Sequence, residues 1–163
     1  MKRGAIRITT VSILIALSVV FGKMLSITTG PLRFSFENLP ILLSSILFGP
    51  LVGAITGGLS DIIGCVLVGY TINPIITLGS ISIGVISGYI YKHHGGILSS
   101  VVIAHIVGSL IIKSIGLYLY YSYPIHLILL RIPTYLIVVT LEYAIIRKIH
   151  PIIIKQLHYK NCS

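Results

Sequence analysis

Acids are rare in this chain, three Asp and Glu against twelve Lys and Arg, and two of the three, Asp61 and Glu142, fall inside apolar runs. Lys113, Arg131 and His105 are embedded in similar runs. An ionised side chain at the centre of a membrane helix costs about 2.5 to 3.5 kcal/mol even on the lenient insertion scale, so each needs a partner or a water-filled cavity. Helical spacing puts His105, Ser109, Lys113 and Gly116 on one stripe, and Arg131, Tyr135 and Glu142 on a stripe of the next helix. The two polar stripes are expected to face each other. Lys113 and Arg131 would each lie on the order of 10 Å below the outer boundary, at about 1.5 Å per residue. Two cations at one depth repel unless something anionic separates them. Asp61 is expected deeper, roughly 14 Å down. Such a pocket suits an elongated molecule with an anionic tail and a heterocyclic head rich in donors. Tyr118, Tyr120, Tyr121, Tyr123 and Tyr135, with Phe34 and Phe36, could wall a flat ring.

Blander readings of the same residues stand beside this one. Lys113 and Arg131 could snorkel outward along their stems. Asp61 could salt-bridge to either of them and form a structural network. His105 reads as a hydrogen-bonded packing residue more readily than as a ligand or proton relay. Glu142, near the inner end of its helix, is expected to pair with Arg147 or Lys148. His93 and His94 are expected to be solvated in a turn. The small-residue rows Gly53, Gly57, Asp61, Gly64 and Thr77, Ser80, Gly84, Gly88 predict close helix packing.

The elements that must position these groups are membrane helices. The chain has 163 residues, 55% of them hydrophobic and 9% charged, with a mean hydropathy of +1.03. A bilayer core needs about 20 apolar residues per helical crossing, and only short polar breaks separate the apolar blocks. The predicted fold class is an all-α integral-membrane protein, one domain over 1–163. Its helices are expected at about 6–25, 36–48, 51–70, 73–91, 97–121 and 125–149, six in all. Pro50 suits the first turn of the third helix. Asn73 is expected to cap the fourth, with Pro74 in its first turn, and Lys92 to Gly96 to form a polar turn after it. The second helix is short for a crossing.

The net charge of +9 reads as topology rather than nucleic-acid binding. Lys2, Arg3, Arg7, Lys92, Arg147, Lys148, Lys155 and Lys160 fall on one side, and Lys23 and Arg33 opposite, so both termini are expected in the cytoplasm of a multi-pass cell-membrane protein. The N-terminal apolar run is long and lacks a clean cleavage site, which argues against a signal peptide. Cys65 and Cys162 stand in different surroundings, so neither a disulfide nor a metal site is expected. No cofactor is implied. A phosphate-binding G-x-x-x-x-G-K-[ST] loop is absent, so any ATP hydrolysis must come from partners.

The runs Arg33-Phe34-Ser35-Phe36-Glu37-Asn38-Leu39-Pro40, Phe48-Gly49-Pro50 with Gly53 and Gly57, Asp61-Ile62-Ile63-Gly64-Cys65, and Gly69 through Gly79 resemble the folate-specific substrate-binding (S) components of energy-coupling factor (ECF) vitamin transporters. The resemblance covers the first four helices. It implies a six-helix protein that captures a vitamin outside the cell and associates with a transmembrane coupling protein and two ATPase subunits. It implies also that the first loop covers the pocket, and that a small-xxx-small motif on the first helix, here Ser12 and Ala16, lets coupling helices approach. Arg33 to Phe36 and Asn73 to Thr77 carry over on matching segments, while Lys113 and Arg131 rest on the residue reading above. In this reading Arg33, Lys113 or Arg131 meets the glutamate tail of folate, and Asp61 or Asn73 meets the pterin.

Rival readings remain. The same transporter class could take riboflavin or thiamine, although a cationic pocket opposes thiamine, itself a cation. An ion-coupled secondary carrier would use Asp61 and His105 as a proton relay. A lipid-modifying enzyme would need clustered acids or a nucleophile with a base, and the dispersed acids supply neither.

Overall fold

A computed structural model describes residues 2–29, 32–122, 124, 129 and 131–159. Helix α1 (Lys2–Val19) runs on into a wide π turn, Val20–Met24, in which Leu25 N donates to Val20 O at 2.9 Å. Strands β1 (Ile27–Thr29) and β2 (Leu32–Phe34) then form a small antiparallel ribbon, Ile27 opposite Phe34 and Thr28 opposite Arg33. Next come α2 (Asn38–Phe48), α3 (Pro50–Val68) and α4 (Pro74–His94). One further rod is built from α5 (Ile97–Ala104), a π-helical stretch (His105–Ile112) and α6 (Lys113–Tyr121). The last described helix is α7 (Arg131–Tyr159).

Among the described residues four helices are long and apolar enough to cross a membrane: Gly4–Met24, Pro50–Val68, Pro74–His94 and Ile97–Tyr120. α2 is different. With 11 residues it rises only about 16 Å, roughly half a bilayer core. Being apolar on all sides, it is buried on all sides: Ile41 and Leu42 are fully enclosed, with Ile46, Ile83, Val101, Ala104 and Ile146 around them. α2 packs against α1, α3 and α4, and α7 closes over α2 and α5.

The tightest contact lies between α3 and α4, where the small-residue rows meet. A Cβ on Gly57 would stand 2.3 Å from Ser80 O, and one on Gly84 would stand 2.2 Å from the Gly53 backbone. Only glycine permits this approach. Ser45 seals the junction from α2, donating to Gly84 O at 2.6 Å, while Ser87 donates to Ser45 Oγ at 2.8 Å.

Several boundaries differ from the sequence reading. α2 starts at Asn38 rather than Phe36, because Phe34 to Glu37 enter it from the ribbon. The loop after α1 contains strands too short to show periodicity. His93 and His94 belong to the last turn of α4, not to a separate turn. The helix ends at Gly95, whose φ of +66° supplies the left-handed cap, with Gly95 N donating to Tyr91 O at 2.9 Å. α7 continues past residue 149 and through Pro151. Just before that proline, Tyr91 Oη and His150 Nε2 lie 3.0 Å apart and hold the segment against α4. The expected start of the final helix at 125–128 lies outside the described residues.

Candidate functional site

The site grows from the N-terminus of α4. Asn73 caps it, its Oδ1 accepting from Ile75 N at 3.0 Å and Ile76 N at 3.4 Å, while its Nδ2 donates to Gly116 O at 3.3 Å and ties α4 to α6. Thr77 follows one turn on. Its hydroxyl lies 2.6 Å from Asp61 Oδ2 and 3.1 Å from Asn73 O. Asp61 is only 2% exposed and is bonded to Thr77, not to Lys113 or Arg131 as a structural network would have it. The hydroxyl fixes the orientation of the buried carboxyl group.

The cations come from three directions. Lys23, in the π turn after α1, lays its stem across Gly64 of α3, where a Cβ would stand 2.7 Å from Lys23 Cε, and its Nζ lies 3.8 Å from the buried Cys65 thiol. Lys113 lies across Gly79 of α4 in the same way, with 2.6 Å from Lys113 Cγ to a Cβ placed there. Both lysines thus depend on a glycine for their path. Lys113 does not snorkel outward. Its Nζ lies 3.9 Å from Glu37 Oε1 and 3.5 Å from Asn38 Oδ1. Arg131 opens α7, donating to Ser114 Oγ at 3.2 Å and to the Tyr135 hydroxyl, with its guanidinium 5.2 Å from the centre of the Tyr135 ring.

Phe34 and Phe36, which enter from the ribbon, are half-buried, as is Tyr135. The Arg33 side chain lies outside what is described, as do those of Tyr121 and Tyr123. Tyr118 and Tyr120, expected as aromatic walls, are instead 51% and 57% exposed. Ser12 and Ala16 occupy an exposed face of α1.

Beneath the cations the two polar stripes do meet, but with partners the sequence did not suggest. Glu142 is fully buried and lies 3.0 Å from His105 Nε2, rather than pairing with Arg147 or Lys148. Arg147 turns instead to the Tyr143 hydroxyl at 3.4 Å. His105 Nδ1 lies 3.0 Å from Val101 O, and Asn38 Nδ2 lies 3.3 Å from His105 Nε2 and 3.2 Å from Ser109 Oγ. Lys23, Glu37 and Asn38 were missed as site residues. Lys23 reads as a loop cation, but Glu37-Asn38, just before an apolar run, was a usable signal.

The sequence profile described as "ECF transporter, substrate-specific component" matches residues 6–155. A relative named Folate transporter FolT, from Clostridium novyi (strain NT), is 39% identical over 54 residues. That match covers 33% of this chain and spans about a third, 31%, of the relative's length. A crystal structure of FolT bound with folic acid superposes with a TM-score of 0.71 at 25% identity, over 84% of this chain and 87% of that one. A structure of the S component of a bacterial ECF transporter shares the fold, with a TM-score of 0.74 at 20% identity over 94% and 98% of the two chains. The chain belongs to the family of substrate-specific components of ECF transporters, and is a membrane-embedded transporter subunit rather than an enzyme.

Proposed function

We propose that this chain captures folate at the outer face of the cell membrane. It delivers the vitamin in assembly with an ECF transmembrane coupling protein and two ATPase subunits. What supports the substrate is the fold shared with a folic-acid-bound relative, in a bundle that holds two helix-borne cations, Lys113 and Arg131, and the buried Asp61–Thr77 pair. Folate has two carboxylates on its glutamate tail and N–H donors on its pterin head. Arg33, Lys113 or Arg131 meets the tail, because charge-assisted bonds to carboxylates are the strong ones. Asp61 or Asn73 meets the pterin, with Thr77 orienting Asp61, and Phe34, Phe36 and Tyr135 flank the ring system.

The same reading has six crossings with both termini in the cytoplasm. In support, Lys92 lies in the last turn of α4 and Arg147, Lys148 and Lys155 in the C-terminal half of α7, and Arg7 near the start of α1 reaches Phe48 O at the end of α2, which adjoins that part of α4 and, through Tyr91 and His150, of α7. Ser12 and Ala16 face the coupling protein.

Calorimetric titration of the purified chain in detergent, with folic acid, 5-formyltetrahydrofolate, thiamine and riboflavin, tests the assignment. Tight binding of the folates alone is the expected outcome. Binding of thiamine or riboflavin in their place would reassign the vitamin, and no binding of any would remove it.

A further inference from the structure

The buried pair His105–Glu142 has no part in the contacts proposed for the ligand, yet it sits in the middle of the bundle with exposures of only 2% and 0%. Its neighbours say what it does. On one side, His105 Nε2 lies 3.3 Å from Asn38 Nδ2, and Asn38 Oδ1 lies 3.5 Å from Lys113 Nζ. On the other, the His105 ring meets the Tyr135 ring edge-on, 6.4 Å between centres, and the Tyr135 hydroxyl accepts from Arg131. One imidazole therefore stands behind both cations of the site. Beyond Asn38 and Tyr135 stand Glu37, Lys113 and Arg131.

The ring is fixed from both ends: Nδ1 lies 3.0 Å from Val101 O, and Nε2 lies 3.0 Å from Glu142 Oε2. A ring so placed sets the positions of Asn38 and Tyr135, and through them those of Lys113 and Arg131.

We infer that Glu142 and His105 are positioning residues that aim Lys113 and Arg131 at the acidic tail of the ligand, a role that rests on the folate reading above. The pair acts chiefly on tail recognition, since Asp61 and Asn73, which hold the pterin in that reading, are bonded to Thr77, to Gly116 and to the start of α4 rather than to His105 or Glu142.

The test compares folic acid with pteroic acid, which lacks the glutamate and its two carboxylates, on the purified full chain by titration calorimetry. Glu142→Leu leaves His105 unsupported and is expected to weaken folic acid by about tenfold and pteroic acid by less than about twofold. Glu142→Gln restores a neutral partner for Nε2 and is expected to bring folic acid back to within about threefold of wild type. Asn38→Ala cuts the link to Lys113 while leaving the pair in place, so it decides by the same comparison should Glu142→Leu fail to fold. Equal weakening of both ligands, or unchanged folic acid affinity, would overturn the positioning role. A wild-type chain that binds pteroic and folic acid equally overturns it too. One that binds neither overturns the folate reading itself.

Discussion

At the scale of single residues, the site separates groups whose charge matters from groups that hold them. Asp61→Asn keeps the shape and lets Thr77 Oγ1 go on donating, so it isolates the charge. If that charge meets the pterin, folic acid affinity falls about tenfold with little change in thermal stability. Arg131→Ala removes a cation whose described partners, Ser114 and Tyr135, are neutral. The loss of charge-assisted bonds, about 1.5 to 3 kcal/mol, predicts roughly 10- to 100-fold weaker folic acid. Unchanged affinity in both variants would sink the pocket assignment. Asn73 was legible from sequence because capping is local: an Asn before a Pro at the helix start reads directly. Glu142 was not. The cations that follow it on its own helix are Arg147 and Lys148, but its partner in space is on another helix, and spacing along one helix cannot say which stripe lies opposite.

At the scale of elements, glycines do two different jobs, and substitution distinguishes them. Gly84→Ala drives a methyl into the Gly53 backbone, so the α3–α4 contact must part. Overpacking of about 1 to 3 kcal/mol predicts a thermal midpoint lower by about 5 °C in detergent. Gly79→Ala meets Lys113 Cγ and Gly108 O instead. Its larger effect is expected on ligand binding, about tenfold weaker folic acid, because the lysine stem must leave its track. A Gly79→Ala variant with full affinity would show that Lys113 reaches the ligand by another path. The small-residue rows themselves were legible, since close packing needs them at that spacing. The π-helical turns at Val20–Met24 and His105–Ile112 were not, because the residues of a wide turn differ little from those of an α-helix. The ribbon at Ile27–Phe34 was missed because three-residue strands are too short for alternation to register.

At the scale of the whole molecule, the proposed binding and coupling residues lie on different faces, which makes the two roles separable by experiment. Asp61, Thr77 and Lys113 turn inward among α2, α3, α4 and α6, whereas Ser12 and Ala16 lie on the exposed side of α1 beside Ile8, which is 69% exposed. Hydropathy alone announced that most of this surface meets lipid, but only the packed structure tells an α1 face left open from one turned to α2 and α3. A row of small side chains lets another helix come close, and in lipid such closeness, not apolar area, drives association. Ser12→Trp with Ala16→Trp should therefore leave folic acid affinity in detergent within about twofold of wild type, since neither residue contacts the pocket. Together with a coupling protein and ATPases in proteoliposomes, the same variant should lose at least about tenfold in ATP-dependent folate uptake, because two indoles hold the helices apart. Undiminished uptake would take the coupling surface away from α1. A parallel fall in detergent affinity would instead show that α1 supports the pocket, and that the two faces are not independent.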